Sequence, residues 1–162
     1  MSKRQHGVAL PVVLLLSAMM LATSAAWFEM SIAAARAASN TQNALQAFHA
    51  ADAALTQCAR MALDGTAPAL PDVAQEPVGW QRAATFGTAA LTPFAQWPGA
   101  LRPPQCLVEG WLLAARPDTR AWLITARGFG ATQASQIWLQ VELVVDGDQV
   151  ERHWRQVVAR PF

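Results

Sequence analysis

The feature that most constrains the fold of this chain is a run of uncharged residues near its N-terminus. The run comprises 21 residues, from Val8 to Phe28. As an α-helix it would be about 31 Å long, enough to cross a bilayer core of roughly 30 Å. The two charges that precede it, Lys3 and Arg4, are both basic. The positive-inside rule therefore predicts a cytoplasmic N-terminus, with everything after Phe28 across the membrane.

The helical pattern continues beyond the uncharged run. Neither Gly nor Pro occurs between Glu29 and Leu63, so helix propensity stays high. Apolar residues recur there at steps of three and four, at Leu45, Phe48, Ala51, Leu55, Cys58 and Ala62. This spacing predicts an amphipathic helix with one packing face, and Asp64-Gly65 predicts its end. We therefore expect one helix with a transmembrane half over 8–28 and an amphipathic half over 29–64.

The region 65–106 is rich in proline. It holds seven of the ten prolines and few alternating apolar runs. This composition predicts an irregular connecting region, with at most a short strand or helical turn between Trp80 and Phe94. Its tryptophans, Trp80 and Trp97, are candidates for contact with a partner, because a tryptophan in a loop is often exposed.

The residues 107–162 change to the pattern of β-strands. Four segments are rich in Trp, Val, Ile, Leu and Thr and are joined by short polar links: LVEGWLL (107–113), TRAWLITARG (119–128), QIWLQVELVVD (136–146) and QVERHWRQVVA (149–159). Short links predict a four-stranded antiparallel sheet, and Gly128-Phe129-Gly130 is interpreted as a turn. Alternation in the third segment predicts one buried face, covered by the helix stripe from Leu45 to Leu63. The expected fold class is therefore α+β.

Three interpretations of the N-terminus compete. A secretory signal peptide would be cut after Ala25 or Ala26, because small residues precede these positions. An uncleaved anchor would need no processing. A prepilin would lose a short basic leader, residues 1–7, by cleavage between Gly7 and Val8. The unbroken helical pattern through Trp27 favours a retained anchor.

The ordered features of the chain resemble a known family. A basic leader ending in Gly, an apolar helix, a Pro-rich link and four antiparallel strands resemble a type IV pilin. The segments GVALPVVLLLSAMMLATSAAW and ALQAFHAADAAL are similar to the N-terminal region of PilX-type minor pilins. ITARGFGATQASQIWLQVEL and HWRQVV are similar to later strands of that group. The resemblance covers nearly the whole chain and is weakest over 60–106.

The resemblance implies a processing site and a place in a filament. A prepilin peptidase would cut after Gly7, and methylation would follow at Val8. Major pilins carry a glutamate at the fifth mature residue, which here is Val12. Without that carboxylate the chain is expected at the filament tip, because it cannot pair with the terminal amine of a neighbouring subunit. Small residues would let neighbouring helices approach closely, mainly Ser17, Ala18, Ala22 and Ala25.

The implied function is initiation of type IV pilus assembly, with roles in adhesion and twitching motility. The implied partners are other minor pilins, the major pilin, the prepilin peptidase and a tip adhesin. The chain would sit in the inner membrane with residues 29–162 as a periplasmic globular domain, and would then enter the pilus. Two alternatives remain open, a type II secretion minor pseudopilin and a secreted periplasmic binding module with a cleaved signal peptide.

Composition argues against several other functions. The net charge is +1 and Lys3 is the only lysine, so direct binding to nucleic acid is not expected. No catalytic or cofactor motif occurs, and His49 with Asp52 is interpreted as a solvated helical pair rather than part of a metal site. We therefore predict no enzyme activity, no cofactor and no metal. Cys58 and Cys106 are expected to form a disulfide in an oxidising compartment, the alternative being two free buried thiols.

Overall fold

The structure is a computed structural model, which describes residues 9–162. Its elements, in chain order, are α1 (Ala9–Leu63), β1 (Leu70–Val73), a 3-10 turn (Gly79–Gln81), α2 (Ala83–Ala89), β2 (Gln105–Trp111), β3 (Arg120–Phe129), β4 (Gln136–Asp146) and β5 (Gln149–Val157). By its internal contacts the chain divides after Thr41 into two units. The α+β class predicted from the sequence is confirmed.

The long helix α1 ends at Leu63, where the stop signal in the sequence indicates. Gly65 adopts the left-handed conformation with φ of 70°, which glycine tolerates best. The amide of Thr66 donates to the carbonyl of Met61 at 2.9 Å, a bond that closes the last turn of a helix. The end of α1 is therefore determined by local backbone chemistry.

The sheet is mixed and five-stranded, so the prediction of a four-stranded antiparallel sheet is wrong. The strand order is β1-β2-β3-β4-β5, with β2 to β5 antiparallel and β1 parallel to β2. The extra strand β1 comes from the Pro-rich region, at the edge of the sheet where Pro71 is tolerated. Four residues with an internal proline carry no alternation that would predict a strand.

One face of the sheet packs against the second half of α1, as predicted. Its core contains mostly alanines from the helix and aliphatic residues from the strands: Ala51, Ala54, Leu55, Cys58, Ala59, Ala62, Cys106, Val108, Ile124, Ala126, Leu139, Val141 and Leu143. Small helix residues allow close approach of helix to sheet. The prediction of a buried helix stripe from Leu45 to Leu63 is wrong at its first residue, because Leu45 is 55% exposed.

Gly128 shows how close that approach is. A Cβ atom at this position would overlap with the carbonyl of Ala47 and the amide of Ala51 in α1. Gly128 lies inside β3, so the interpretation of Gly128-Phe129-Gly130 as a turn is wrong. Because Gly128 has no side chain, α1 can pack closely on β3. The position of the glycine between two apolar segments of the sequence does not reveal this role.

The opposite face of the sheet is also covered, by the Pro-rich region. Trp80 and Phe86 pack there against Leu107, Leu123 and Trp138. The pattern of β4 predicts only one buried face, yet Gln140 on the second face is fully buried. The prediction of a single buried face is therefore wrong, because the connecting region folds back over the sheet.

Candidate functional site

The most exposed apolar surface of the structure lies on the first part of α1. Large apolar side chains there are between 43% and 77% exposed: Leu10, Val12, Val13, Leu14, Leu15, Leu16, Met19, Met20, Leu21, Trp27, Phe28, Met30 and Ile32. We call these residues the apolar surface of α1. Such a continuous surface needs a lipid or protein partner.

By length and composition α1 is able to cross a membrane. Its most apolar 18-residue window has a mean hydropathy of 2.0. A signal sequence near an N-terminus would meet the same criterion. The length and composition of α1 therefore fit either a membrane span or a signal sequence.

Two hydroxyl groups in this part of α1, those of Ser17 and Thr23, are satisfied by the helix itself. Ser17 Oγ donates to the carbonyl of Val13 at 2.8 Å, and Thr23 Oγ1 lies 3.0 Å from the carbonyls of Met19 and Met20. Backbone acceptors of this kind matter in lipid, where water cannot satisfy a polar group. These hydroxyls therefore do not oppose an apolar environment.

The predicted packing residues occupy two neighbouring sides of α1. Ala18, Ala22 and Ala25 follow steps of four and three, so they form a narrow strip on one side, and Ser17 lies beside it. All four are exposed, as is Val12, the predicted position of the missing carboxylate. The predicted leader residues and cleavage site, Lys3, Arg4, Gly7 and Val8, lie outside the described residues.

Cys58 and Cys106 form a disulfide, as predicted. The bond joins α1 to β2, and both residues are fully buried. The two cysteines are 48 residues apart in the sequence, and the loop that they close includes nearly all of the Pro-rich region. Leu91 pairs with Cys106 through two backbone hydrogen bonds of 2.7 and 2.9 Å. The disulfide therefore fixes both ends of this region to the core.

The two loop tryptophans occupy different environments. Trp80 is only 9% exposed and belongs to the core of the second sheet face, so the prediction that it is available to a partner is wrong. Trp97 is partly exposed and packs edge to face with Phe94, with ring centroids 5.5 Å apart. Trp97 therefore stays a candidate for partner contact. Among the strand tryptophans, Trp138 is buried and Trp154 is 52% exposed.

A buried carboxylate, Glu109, holds the Pro-rich region on the sheet. Its two carboxylate oxygens accept hydrogen bonds from the backbone amides of Gly79 at 2.8 Å and Trp80 at 3.2 Å. Burial raises the pKa of Glu109 above its ordinary value, although the two amides and nearby Arg82 oppose the shift. A lone acid within an otherwise apolar strand is the sequence signal that could have identified this contact.

A second buried charge, Arg127, lies on the same face of the sheet. Its guanidinium is within 4.9 to 5.4 Å of four aromatic ring centroids, those of Phe86, Phe129, Trp138 and Phe162. Its Nη2 donates to Gln105 Oε1 at 2.6 Å. Burial, followed by the positive charges of Arg102 and Arg160, lowers the pKa of Arg127. The spacing of residues along the sequence does not predict this cluster, because its rings come from separate parts of the chain.

The second face also carries an open groove of about 620 Å³. Its lining combines apolar residues, mainly from the segment 111–115, with charged ones: Arg116, Glu76, Glu142 and Glu151, beside His153. Arg116 bonds Glu151 at 2.9 Å, and Arg155 bonds Glu76 at 2.6 Å beside it. Among residues 9–162, no group of three or more His, Cys, Asp or Glu side chains could hold a metal ion. Two of the glutamates in the groove, Glu76 and Glu151, are therefore held in ion pairs with arginines.

In the described part of the chain, His49 and Asp52 belong to no group of three or more potential metal ligands. Both are exposed on α1, and the ring of His49 lies edge to face with Phe48 at 5.8 Å.

No protein-family model, curated protein or solved structure matches this chain. The family resemblance therefore depends on the residues that carry it, and the apolar surface of α1 is the candidate functional site.

Proposed function

We propose that this chain is a minor pilin that takes part in initiating type IV pilus assembly, at or near the filament tip. One observation carries the proposal: α1 is a single helix of 55 residues, with the exposed apolar surface in its first part and a stripe buried against the sheet in its second part. A pilin needs this combination, because the same helix anchors the subunit in the membrane and supports its globular part.

The continuity of α1 favours a retained anchor over a removed signal peptide. Cleavage after Ala25 or Ala26 would leave Trp27, Phe28 and Met30 at the new N-terminus, all more than 70% exposed. Such a row of exposed apolar side chains is unfavourable in a free periplasmic module. Retained, these residues continue a membrane-spanning helix, and Trp27 would lie at the membrane interface, where tryptophan is enriched.

Helix packing would place the subunit among other pilins. Ala18, Ala22 and Ala25 would allow a neighbouring helix to approach closely, and Ser17 would keep its hydroxyl bonded within its own helix. Val12 offers no carboxylate to the terminal amine of another subunit, which suits a place at the tip better than repeated use in the shaft. The partners would be other minor pilins, the major pilin and a tip adhesin.

The N-terminal mass of the mature protein tests the anchor. The full chain would be expressed with and without a prepilin peptidase, extracted from inner membranes and measured as intact protein. We expect a chain that starts at Val8 and is heavier by a methyl group only when the peptidase is present. The variant Gly7→Ile should stay unprocessed. A chain starting at Ala26 or Trp27 would contradict the proposal.

The position in the filament needs a separate measurement. An epitope inserted after Asp148, in the turn between β4 and β5, would be located on purified pili by immunogold labelling. We expect gold at one end of each filament. Even labelling along the shaft would exclude the tip placement while leaving membership in the pilus intact. Loss of the protein is expected to reduce surface pili, adhesion and twitching.

A further inference from the structure

The last strand of the sheet, β5, has one edge that no other described segment covers. It pairs with β4 on one side only, and among residues 9–162 no backbone group outside the sheet bonds to it. The pairing runs without a bulge from Gln149 to Val157, and the strand contains no proline. Bulges and prolines are common devices that prevent an edge from pairing with another chain. This long, regular edge is therefore able to accept a further strand.

The register of the β4–β5 hairpin identifies the free backbone groups of this edge. Asp146 and Gln149 flank a two-residue turn, so they form a hydrogen-bonded pair. Along an antiparallel strand, residues alternate between bonding the partner strand and directing their amide and carbonyl away from it. The residues that direct both groups outward are therefore Val150, Arg152, Trp154 and Gln156. A second extended chain presents its own groups at the same two-residue spacing.

An apolar groove borders this edge, on the face of the sheet that packs against α1. The groove is about 250 Å³ and lies between α1 and β5. Its base comes from three buried residues: Leu55 and Ala59 of α1 and Val141 of β4. Trp154, which is 52% exposed, forms its apolar wall. The groove has about eight times the roughly 30 Å³ of one water molecule in the liquid, so it has room for an apolar side chain.

The charges beside the groove indicate what kind of chain would bind there. Arg60 and Arg152 line the groove together with a single carboxylate, that of Asp52. In the described part of the chain, neither arginine has a carboxylate within ion-pair distance. An excess of positive charge at an edge disfavours a basic chain and favours an acidic one. An added strand should therefore bring a carboxylate to these arginines.

A second copy of this chain does not supply that carboxylate. If another β5 paired antiparallel with this edge, the side chains that it placed over the groove would be its own outward ones: Val150, Arg152, Trp154 and Gln156. None of these four is acidic, and the added arginine would increase the excess of positive charge. The chemistry of the edge therefore favours a segment of a different protein.

We propose that the free edge of β5 and the adjoining groove bind an extended acidic segment of another protein, as an added antiparallel strand. The backbone of this segment bonds the four outward residues of β5. One of its apolar side chains enters the groove beside Trp154, and a carboxylate two residues further along binds Arg152. This site goes beyond the role in filament assembly and does not depend on it.

Hydrogen exchange at the outward amides tests the proposal. The full chain would be labelled with 15N in maltoside micelles and mixed with the capped peptide Thr-Thr-Val-Thr-Glu-Thr-Val. In the antiparallel register, the first valine of this peptide lies opposite Trp154 and its glutamate opposite Arg152. We expect saturable binding that slows exchange of the four outward amides of β5 by about tenfold or more. Unchanged exchange of these amides at millimolar peptide would overturn the proposal.

Two control peptides distinguish strand pairing from other kinds of binding. N-methylation of the first valine and the glutamate removes the donors that face β5, and should abolish the slowing. Replacing the glutamate by lysine should weaken binding by about tenfold or more, because the new charge is repelled by Arg60 and Arg152. Equal slowing by the lysine peptide would contradict an acidic partner. Slowing of the same amides by a higher concentration of the chain alone would assign the edge to a second copy, and would also overturn the proposal.

Variants of β5 test the site from the side of the protein. Gln156→Pro removes one outward donor and leaves the bonds to β4 intact, because proline is tolerated at a sheet edge. It should weaken peptide binding, whereas Gln156→Thr keeps the donor and should bind normally. Arg152→Gln should also weaken binding, by about tenfold. Its matched control is Arg102→Gln, which removes an exposed arginine that does not line the groove. Equal affinity of these two arginine variants for the peptide would contradict the proposed contact.

Discussion

Gln140 Nε2 donates a hydrogen bond of 2.8 Å to Thr125 Oγ1, and both side chains are fully buried on the sheet face away from α1. The carbonyl of the Gln140 side chain accepts a second bond of 2.8 Å from Arg155 Nε, and Arg155 Nη2 bonds Glu76 at 2.6 Å. This row of polar side chains crosses three strands and reaches the Pro-rich region. It explains how polar residues of the second face are accommodated beneath a covering segment.

Removing one member of this buried pair should destabilise the protein. Thr125→Val leaves the Gln140 amide without its acceptor, and we expect a loss of about 1–3 kcal/mol in the free energy of unfolding. Urea unfolding of the full chain in micelles, observed by tryptophan fluorescence, measures this loss. Gln156→Leu, at an exposed position of β5, is the control and should change stability by less than about 0.5 kcal/mol. Equal effects of the two variants would contradict a special role for the buried pair.

Gly128→Ala should destabilise the packing of α1 on β3. The added methyl group would overlap with backbone atoms of Ala47 and Ala51, which cannot move independently of the helix. We expect a loss of about 1–3 kcal/mol, as for other overpacked cores. Gly87→Ala in α2 is the matched control, since nothing lies within 4 Å of its Cβ position, and it should be neutral or stabilising. The same urea experiment compares the two.

The pH dependence of stability should report the burial of Glu109. Burial raises its pKa in the folded state above the ordinary 4.5, so the folded protein holds this proton more tightly than the unfolded chain. The contribution of Glu109 to stability is therefore present below the unfolded pKa and is lost as pH rises through the folded pKa. Relative to Glu109→Gln, the wild type should become less stable over this interval. A relative gain with rising pH would mean that the amide bonds to the carboxylate dominate.

Removing the disulfide should weaken the attachment of the Pro-rich region. The double variant Cys58→Ala/Cys106→Ala lacks the covalent bond between two residues that are 48 apart in the sequence. Its unfolded chain therefore regains the conformational entropy that the closed loop removes. We expect a loss of about 2–4 kcal/mol in the free energy of unfolding. Wild-type protein treated with a reductant should fall to a similar value. No difference between oxidised and reduced wild type would contradict this expectation.

The strip of small residues on α1 should control entry into filaments. Ala22→Leu would keep a neighbouring helix at a greater distance. If the free energy of helix association falls by about 1 kcal/mol, incorporation into pili should fall about fivefold. Incorporation is measured by quantitative immunoblots that compare the amount of the protein in sheared pili with the amount in the membrane fraction. Met20→Leu, an apolar change of similar volume on another side of α1, is the control. Normal incorporation of Ala22→Leu would argue against close packing through this strip.

Features that depend on consecutive residues were predictable from the sequence. Uncharged residues and helical spacing predicted one long helix, and Asp64-Gly65 predicted its end because glycine accepts a left-handed backbone there. The short links between apolar segments predicted the meander of β2 to β5, whose antiparallel pairing the structure confirms. The exposed apolar surface of α1 is likewise a property of adjacent residues. The sequence by itself therefore determined the helix, the meander and the candidate functional site.

Contacts between distant residues were decided only in the tertiary structure. The parallel strand β1 requires the Pro-rich region to pair with the sheet edge, and the burial of Trp80 and the cluster around Arg127 require it to fold over the second face. Glu109 helps to hold it there by binding the amide of Gly79, 30 residues earlier in the chain. Periodicity along the chain records whether a residue favours burial, but it does not record which remote segment covers it. For this protein, that remote covering segment turned a one-sided sheet into one buried on both faces.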